Sequence, residues 1–142
     1  MRQVRAKFRC MEISRFWNGG CTLVRFLPVM AKNGCRADEE TASEENAAFW
    51  QATPSGEAKL QFPTLDPVSY EIGHCYYLDM RPDEQGSWKL TERKHSEGQL
   101  GVVLSCSWRD SVSMNICNES AWDAFDGPIG GPWSVEFTHA GP

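Results

Sequence analysis

The sequence predicts a β-rich α+β fold: six to eight mostly antiparallel strands in a barrel or sandwich, with two or three short helices. Three observations predict it. Apolar and polar residues alternate in segment after segment, the period of half-buried strands. Turn-forming runs such as Asn18-Gly19-Gly20 and Thr53-Pro54-Ser55-Gly56 punctuate those segments at short intervals. Helix-start signals are few, and little chain follows each of them. At 142 residues the chain reads as one domain, and 41% hydrophobic content with six Trp and seven Phe is ample for a core.

The elements follow in order. Val4, Ala6, Phe8 and Cys10 alternate with Arg5, Lys7 and Arg9, and Met11 and Ile13 continue on the other parity, so a strand with a bulge near residues 9–11 is expected. Residues 21–30 return as its hairpin partner, with Pro28 confining the end of that strand to an edge or a bulge. Residues 31–40 read as a loop. Thr41 and Glu44 fit a capping box, which starts a short helix over 42–52 that Pro54 stops. Ala58, Leu60 and Phe62 make the inner face of the next strand, with Glu57, Lys59 and Gln61 outside.

Asp66 and Pro67 start a single helical turn before Gly73. Strands are then expected at 74–80, 88–93, 100–108 and 112–116, with a loop at 81–87 and a turn at 95–98. Asn118 caps a short helix carrying Ala121, Trp122 and Phe125, a Gly/Pro loop spans 127–132, and Trp133, Val135 and Phe137 form the last strand. Part of this map repeats. Leu60, Phe62 and Thr64 precede Asp66 with the spacing by which Val112, Met114 and Ile116 precede Asn118, and Tyr76-Tyr77-Leu78-Asp79 matches Trp133-Ser134-Val135-Glu136. A pseudo-repeat of 57–80 and 109–138 is one reading; chance similarity between β-rich units is the other.

Chemistry is sparse. There is no nucleophile elbow, phosphate loop or dinucleotide motif, so no enzyme is expected. His74, His95 and His139 show no metal-ligand spacing, and each reads as structural or solvated. No cofactor or metal is assigned. The six cysteines form no Cys-x-x-Cys pair and read as reduced thiols. A formal charge of −5 argues against nucleic acid as a general partner, and no segment has the ~20 apolar residues of a membrane helix. Binding is easier to argue. The Thr53–Gly56 turn offers hydroxyls and backbone N–H groups to an anion, Trp50 beside it can stack on a ring, and Lys59, Arg9 and Tyr77 lie at outward strand positions. The candidate set is therefore Trp50, Thr53, Ser55, Gly56, Lys59, Arg9 and Tyr77. The competing reading makes that turn a corner and the two aromatics before it a barrel plug.

The run of residues 45–60, with Phe49-Trp50-Gln51-Ala52-Thr53-Pro54-Ser55-Gly56 at its centre, resembles a pattern in small uncharacterised tailed-phage proteins. These also carry a strand like Val4-Arg5-Ala6-Lys7-Phe8 and one like Tyr70 to Asp79 with its glycine and paired tyrosines. The resemblance covers roughly residues 4–80 and departs at His74, where a lysine is common. It implies a phage source and no mechanism. The expectation is a non-enzymatic phage accessory protein in the host cytoplasm, acting in counter-defence by sequestering a nucleotide signal or masking a host defence protein. A virion structural or decoration component and a single-stranded-DNA-binding accessory are the alternatives. Open strand edges would allow a homo-oligomer.

Overall fold

Val4, Ala6, Phe8 and Cys10 share one parity of their strand, and all four are buried. The same inward parity recurs around a closed sheet in the computed structural model, which describes residues 3–16, 21–29, 55–63, 70–107, 110–116 and 122–142. Eight strands form it: β1 Val4–Phe16, β2 Cys21–Pro28, β3 Ser55–Pro63, β4 Cys75–Pro82, β5 Trp88–Ser96, β6 Gln99–Ser105, β7 Ser111–Ile116 and β8 Pro132–Gly141. The strands are antiparallel to their neighbours and close as a barrel in the order β1-β2-β3-β7-β6-β5-β8-β4.

That order contains two Greek keys, β4-β1-β2-β3 and β8-β5-β6-β7, meeting at the β3–β7 and β4–β8 seams. Their registers correspond. Cys10 faces Phe26 just before the register shift of β1, and Leu90 faces Leu104 just before that of β5. At the seams, Ala58 faces Val112 and Asp79 faces Glu136. Tyr76 opposite Phe8 and Trp133 opposite Trp88 hold matching places. In the β3–β7 register Val112 answers to Ala58, two residues before Leu60, its counterpart by sequence spacing.

The interior is filled by side chains. Phe8, Phe26, Leu78, Met80, Leu90, Leu104, Ile116 and Phe125 are fully buried, as an eight-stranded barrel of this width requires. Each end is plugged by an aromatic from a connection. Tyr70, ahead of β4, packs edge-on to Phe26 at 5.2 Å and to Tyr76 at 5.1 Å, with Phe137 stacked on Phe26 at 5.0 Å. Phe125, ahead of β8, stacks on Trp133 at 4.9 Å. Because β4 and β8 run antiparallel, these two plugs close opposite mouths. Arg93 holds the second connection by donating to the carbonyls of Phe125 (2.9 Å) and Gly127 (3.1 Å).

The β5–β8 seam pairs at only Trp88/Trp133 and Lys89/Pro132. Backbone bonds from Leu90 N–H to Gly131 (3.1 Å) and from Gly130 N–H to Leu90 (2.7 Å) extend it. Gly86 lies against the Trp133 backbone there, so close that a Cβ would fall 2.3 Å from the Trp133 carbonyl oxygen.

The α+β expectation is corrected to a β-barrel. Among the described residues the only helical element longer than a single residue is the 3-10 turn Asp123–Phe125, and residues 70–74 form a turn without a helix. The 3-10 turn carries Phe125 into the barrel mouth, so its short helix and its plug are one feature. The expected helix over 42–52, and the caps at Asp66 and Asn118, lie outside the described residues. The bulge falls between Cys10 and Glu12 and leaves Met11 46% exposed, while Ile13 packs on the core. Pro28, expected at an edge or a bulge, ends β2 between β1 and β3, and the closed barrel presents no open strand edge for a homo-oligomer to pair on. β5 runs to Ser96 and turns through Glu97 (φ 47°) and Gly98 (φ 78°), a two-residue hairpin turn. β8 runs on to Gly141, past the expected end near Phe137.

These contacts predict unequal costs in urea unfolding. Phe26→Ala should lose about 3–5 kcal/mol through transfer and cavity terms, and Gly86→Ala about 1–3 kcal/mol by forcing two backbones apart. Met11→Ala should stay within about 0.5 kcal/mol.

Candidate functional site

Strand alternation carries Arg5, Lys7 and Arg9 to the outside of β1, and β4 supplies their neighbours: Arg5 faces Asp79, Lys7 faces Tyr77, and Arg9 faces Cys75. The Arg5 guanidinium grips Asp79 through two bonds, Nε to Oδ1 at 2.6 Å and Nη2 to Oδ2 at 3.0 Å, and Gln3 Nε2 donates to the same Oδ1 at 3.0 Å. The guanidinium carbon of Arg5 lies 4.7 Å from the Tyr77 ring centroid and Lys7 Nζ lies 5.3 Å from it. Tyr77 is thus an aromatic floor under two cations. Further along the face, Arg9 Nη2 donates to the Sγ of Cys75 at 3.6 Å. Cys75 is buried there against Val29 and Ala140.

The structure brings together two members of the candidate set, Arg9 and Tyr77, on this outer β1–β4 face. Lys59 lies on β3, with β2 intervening, about 10 Å from β1 at two strand spacings. There Lys59 Nζ meets Glu57 at 3.4 Å, Glu57 meets Arg25 at 3.8 Å, and Arg25 Nε donates to Glu12 at 3.2 Å, an alternating charge chain across β3, β2 and β1. Gly56 opens instead toward a groove of about 500 Å³ on the outer face of β3, β5, β6 and β7, shared with Glu57, Lys94, Gln99 and Asn115. Ser55 begins β3. Trp50 and Thr53 lie outside the described residues.

A different constellation sits at the barrel mouth plugged by Tyr70. On β8 the inward parity runs through Trp133, Val135 and Phe137 to His139, which emerges from the core at the rim opposite Tyr76. His74 stands at the entry to β4. Its Nδ1 is 2.9 Å from His139 Nε2 and 3.1 Å from Glu71 Oε2, and the two imidazoles stack at 5.2 Å. The turn that presents Glu71 and His74 is pinned on three sides. Gly73, at φ +88° where a side chain would be strained, donates to the Cys10 carbonyl at 2.8 Å. The Cys10 N–H donates to His74 at 2.9 Å, and the Glu71 N–H donates to the Tyr76 hydroxyl at 2.9 Å. His95 is elsewhere, edge-on to Trp122 at 5.6 Å.

Sequence reasoning missed this cluster because His74 and His139 lie far apart in the chain and meet only through the β4–β8 register. No spacing signal in the sequence points to it, since the repeat matches Tyr76 to Trp133 whereas the register sets Tyr76 opposite His139.

Burial pushes the Cys10 thiol up, and desolvation does the same to the Tyr70 and Tyr76 phenols. The carboxyl of Glu12 moves the other way, lowered first by the Ser14 hydroxyl at 2.7 Å and then by Arg25. A lowered folded value favours the folded state above the ordinary carboxylate range, and that preference is lost as pH falls through the folded value. An NMR titration should therefore place the Glu12 midpoint below that of an ordinary glutamate. Ser14→Ala should raise it more than Lys59→Ala does.

No protein-family model, curated protein or solved structure matches this chain.

Proposed function

We propose that this chain is a non-enzymatic binding protein that holds an anionic partner on the outer face of β1 and β4. The observation that carries the reading is the aromatic floor of Tyr77 beneath Arg5 and Lys7, with Arg9 next along the same face. Two further features support it. The barrel interior is occupied by its own side chains, so a ligand must be taken on the outside or at a mouth. The chain is acidic as a whole, yet β1 presents Arg5, Lys7 and Arg9 in alternation on this face, with Arg5 paired to Asp79.

With the phage resemblance of residues 4–80, this face fits an accessory protein acting in the host cytoplasm in counter-defence. Its ligand would be a nucleotide signal, with phosphate on Lys7 and Arg9 and the base on Tyr77. Stacking of one base on an aromatic is worth about 1–3 kcal/mol, and phosphate contacts make the binding salt-dependent.

Calorimetry with a panel of linear and cyclic nucleotides tests this. Lys7→Ala, Arg9→Ala and Tyr77→Ala should each weaken binding by about tenfold or more, and added salt should weaken it further, while Lys59→Ala leaves it unchanged. Loss on Trp50→Ala with Lys59→Ala alone would move the site to the Thr53–Gly56 turn. Binding of no nucleotide at all would overturn the reading and leave masking of a host protein.

A further inference from the structure

We infer that Glu71, His74 and His139 form a binding site for a divalent transition-metal ion of the zinc class at one mouth of the barrel. This rests on different residues from the anionic face and is independent of it. The inference begins with the donor atoms. His74 Nδ1, His139 Nε2 and a Glu71 carboxylate oxygen all lie within 4.8 Å of one another. Two of the separations are 2.9 Å and 3.1 Å. Ligands about 2.0–2.2 Å from a tetrahedral zinc ion stand about 3.3–3.5 Å apart, so those two separations need to open by a few tenths of an ångström, and the third is already within 4.8 Å.

The chemistry of the donors agrees. Three Lewis bases lie close together, and a proton on His74 Nδ1 would have to be shared between His139 Nε2 and the Glu71 carboxylate. A cation can meet all three. Two imidazole nitrogens with one carboxylate oxygen suit a borderline ion such as zinc over calcium or magnesium, which prefer oxygen-only shells.

Placement supplies preorganisation. His139 projects from a paired strand, and the turn carrying Glu71 and His74 is held by backbone bonds to Cys10 and by the Tyr76 hydroxyl. Beneath the cluster lies the aromatic layer of Tyr70, Tyr76, Phe26 and Phe137, which keeps one side of the site dry. His139 rests on that layer, 5.1 Å from the Tyr76 ring. Glu71 is largely exposed, so the fourth coordination position faces solvent and is available to water or to an anionic ligand. Three protein ligands with one open position is the pattern of zinc sites that exchange a ligand, in contrast to closed four-ligand structural sites.

The test uses the full chain stripped with a chelator and then titrated with Zn²⁺ alone and with Co²⁺ alone. Expected is one ion per chain, cobalt ligand-field bands of a tetrahedral nitrogen–oxygen site, and no thiolate charge-transfer absorption. His74→Ala and His139→Ala should each cut affinity by at least about tenfold, and Cys106→Ser should leave it unchanged. Binding should weaken in acid, since protons compete with the metal for its ligands. If a histidine variant fails to fold, imidazole NMR of the wild-type chain decides: Zn²⁺ should move the His74 and His139 resonances and leave His95 in place. A thiolate band, a shift confined to His95, unchanged affinity in both histidine variants, or no uptake of either ion would each overturn the site.

Discussion

Strand β4 is hydrogen-bonded on both sides, to β1 through the register Val4/Met80 to Arg9/Cys75 and to β8 through Tyr76/His139 to Pro82/Trp133. Everything of chemical interest in this molecule depends on that double pairing. One flank sets Lys7 beside Tyr77 and Arg5 beside Asp79. The other sets His139 beside Tyr76 and hence against His74. Alternation along β4 then divides the two surfaces between the outside of the barrel and its mouth. Shifting either register by one residue would turn every side chain to the opposite face and dissolve both arrangements.

The described interior of the barrel is filled by its own side chains. Its inner positions hold Phe8, Phe26, Leu78, Met80 and Leu104 at full burial, and its mouths are stoppered by Tyr70 and by Phe125 on Trp133. Emptying such an interior for a ligand would cost several kcal/mol per large side chain displaced. The outer face and the rim need no such emptying. They present charge and imidazole nitrogen on strands that the core already holds rigid, which is how a binding site keeps its geometry without ordering cost.

Much of the fold was legible because period-2 alternation is a local signal. The parity of Val4 to Cys10, of Ala58 and Leu60, of Tyr76 to Met80 and of Val112 to Ile116 all carry into the structure, as does a bulge beside Cys10. The helices are a separate matter: the stretch 42–52 and the caps at Asp66 and Asn118 fall outside the described residues, and of the expected helix carrying Trp122 and Phe125 the described part is the 3-10 turn Asp123–Phe125. Barrel and sandwich could not be separated, since closure is decided by which strand β4 pairs with. The site was the least legible part. Arg9 and Tyr77 were readable as outward positions, yet Lys59 has the same outward parity and falls two strands away in a chain of compensating charges. The His74–His139 contact depends on a register and on β8 running past Phe137, neither of which spacing along the chain reveals.

The most direct test of this account is a set of interstrand nuclear Overhauser contacts in the isotope-labelled protein. Backbone contacts are expected between Lys7 and Tyr77, between Asp79 and Glu136, and between Ala58 and Val112. Together these place β4 between β1 and β8 and join the two Greek keys at both seams. Contacts displaced by one residue along β4, or β4 paired on one side alone, would contradict it.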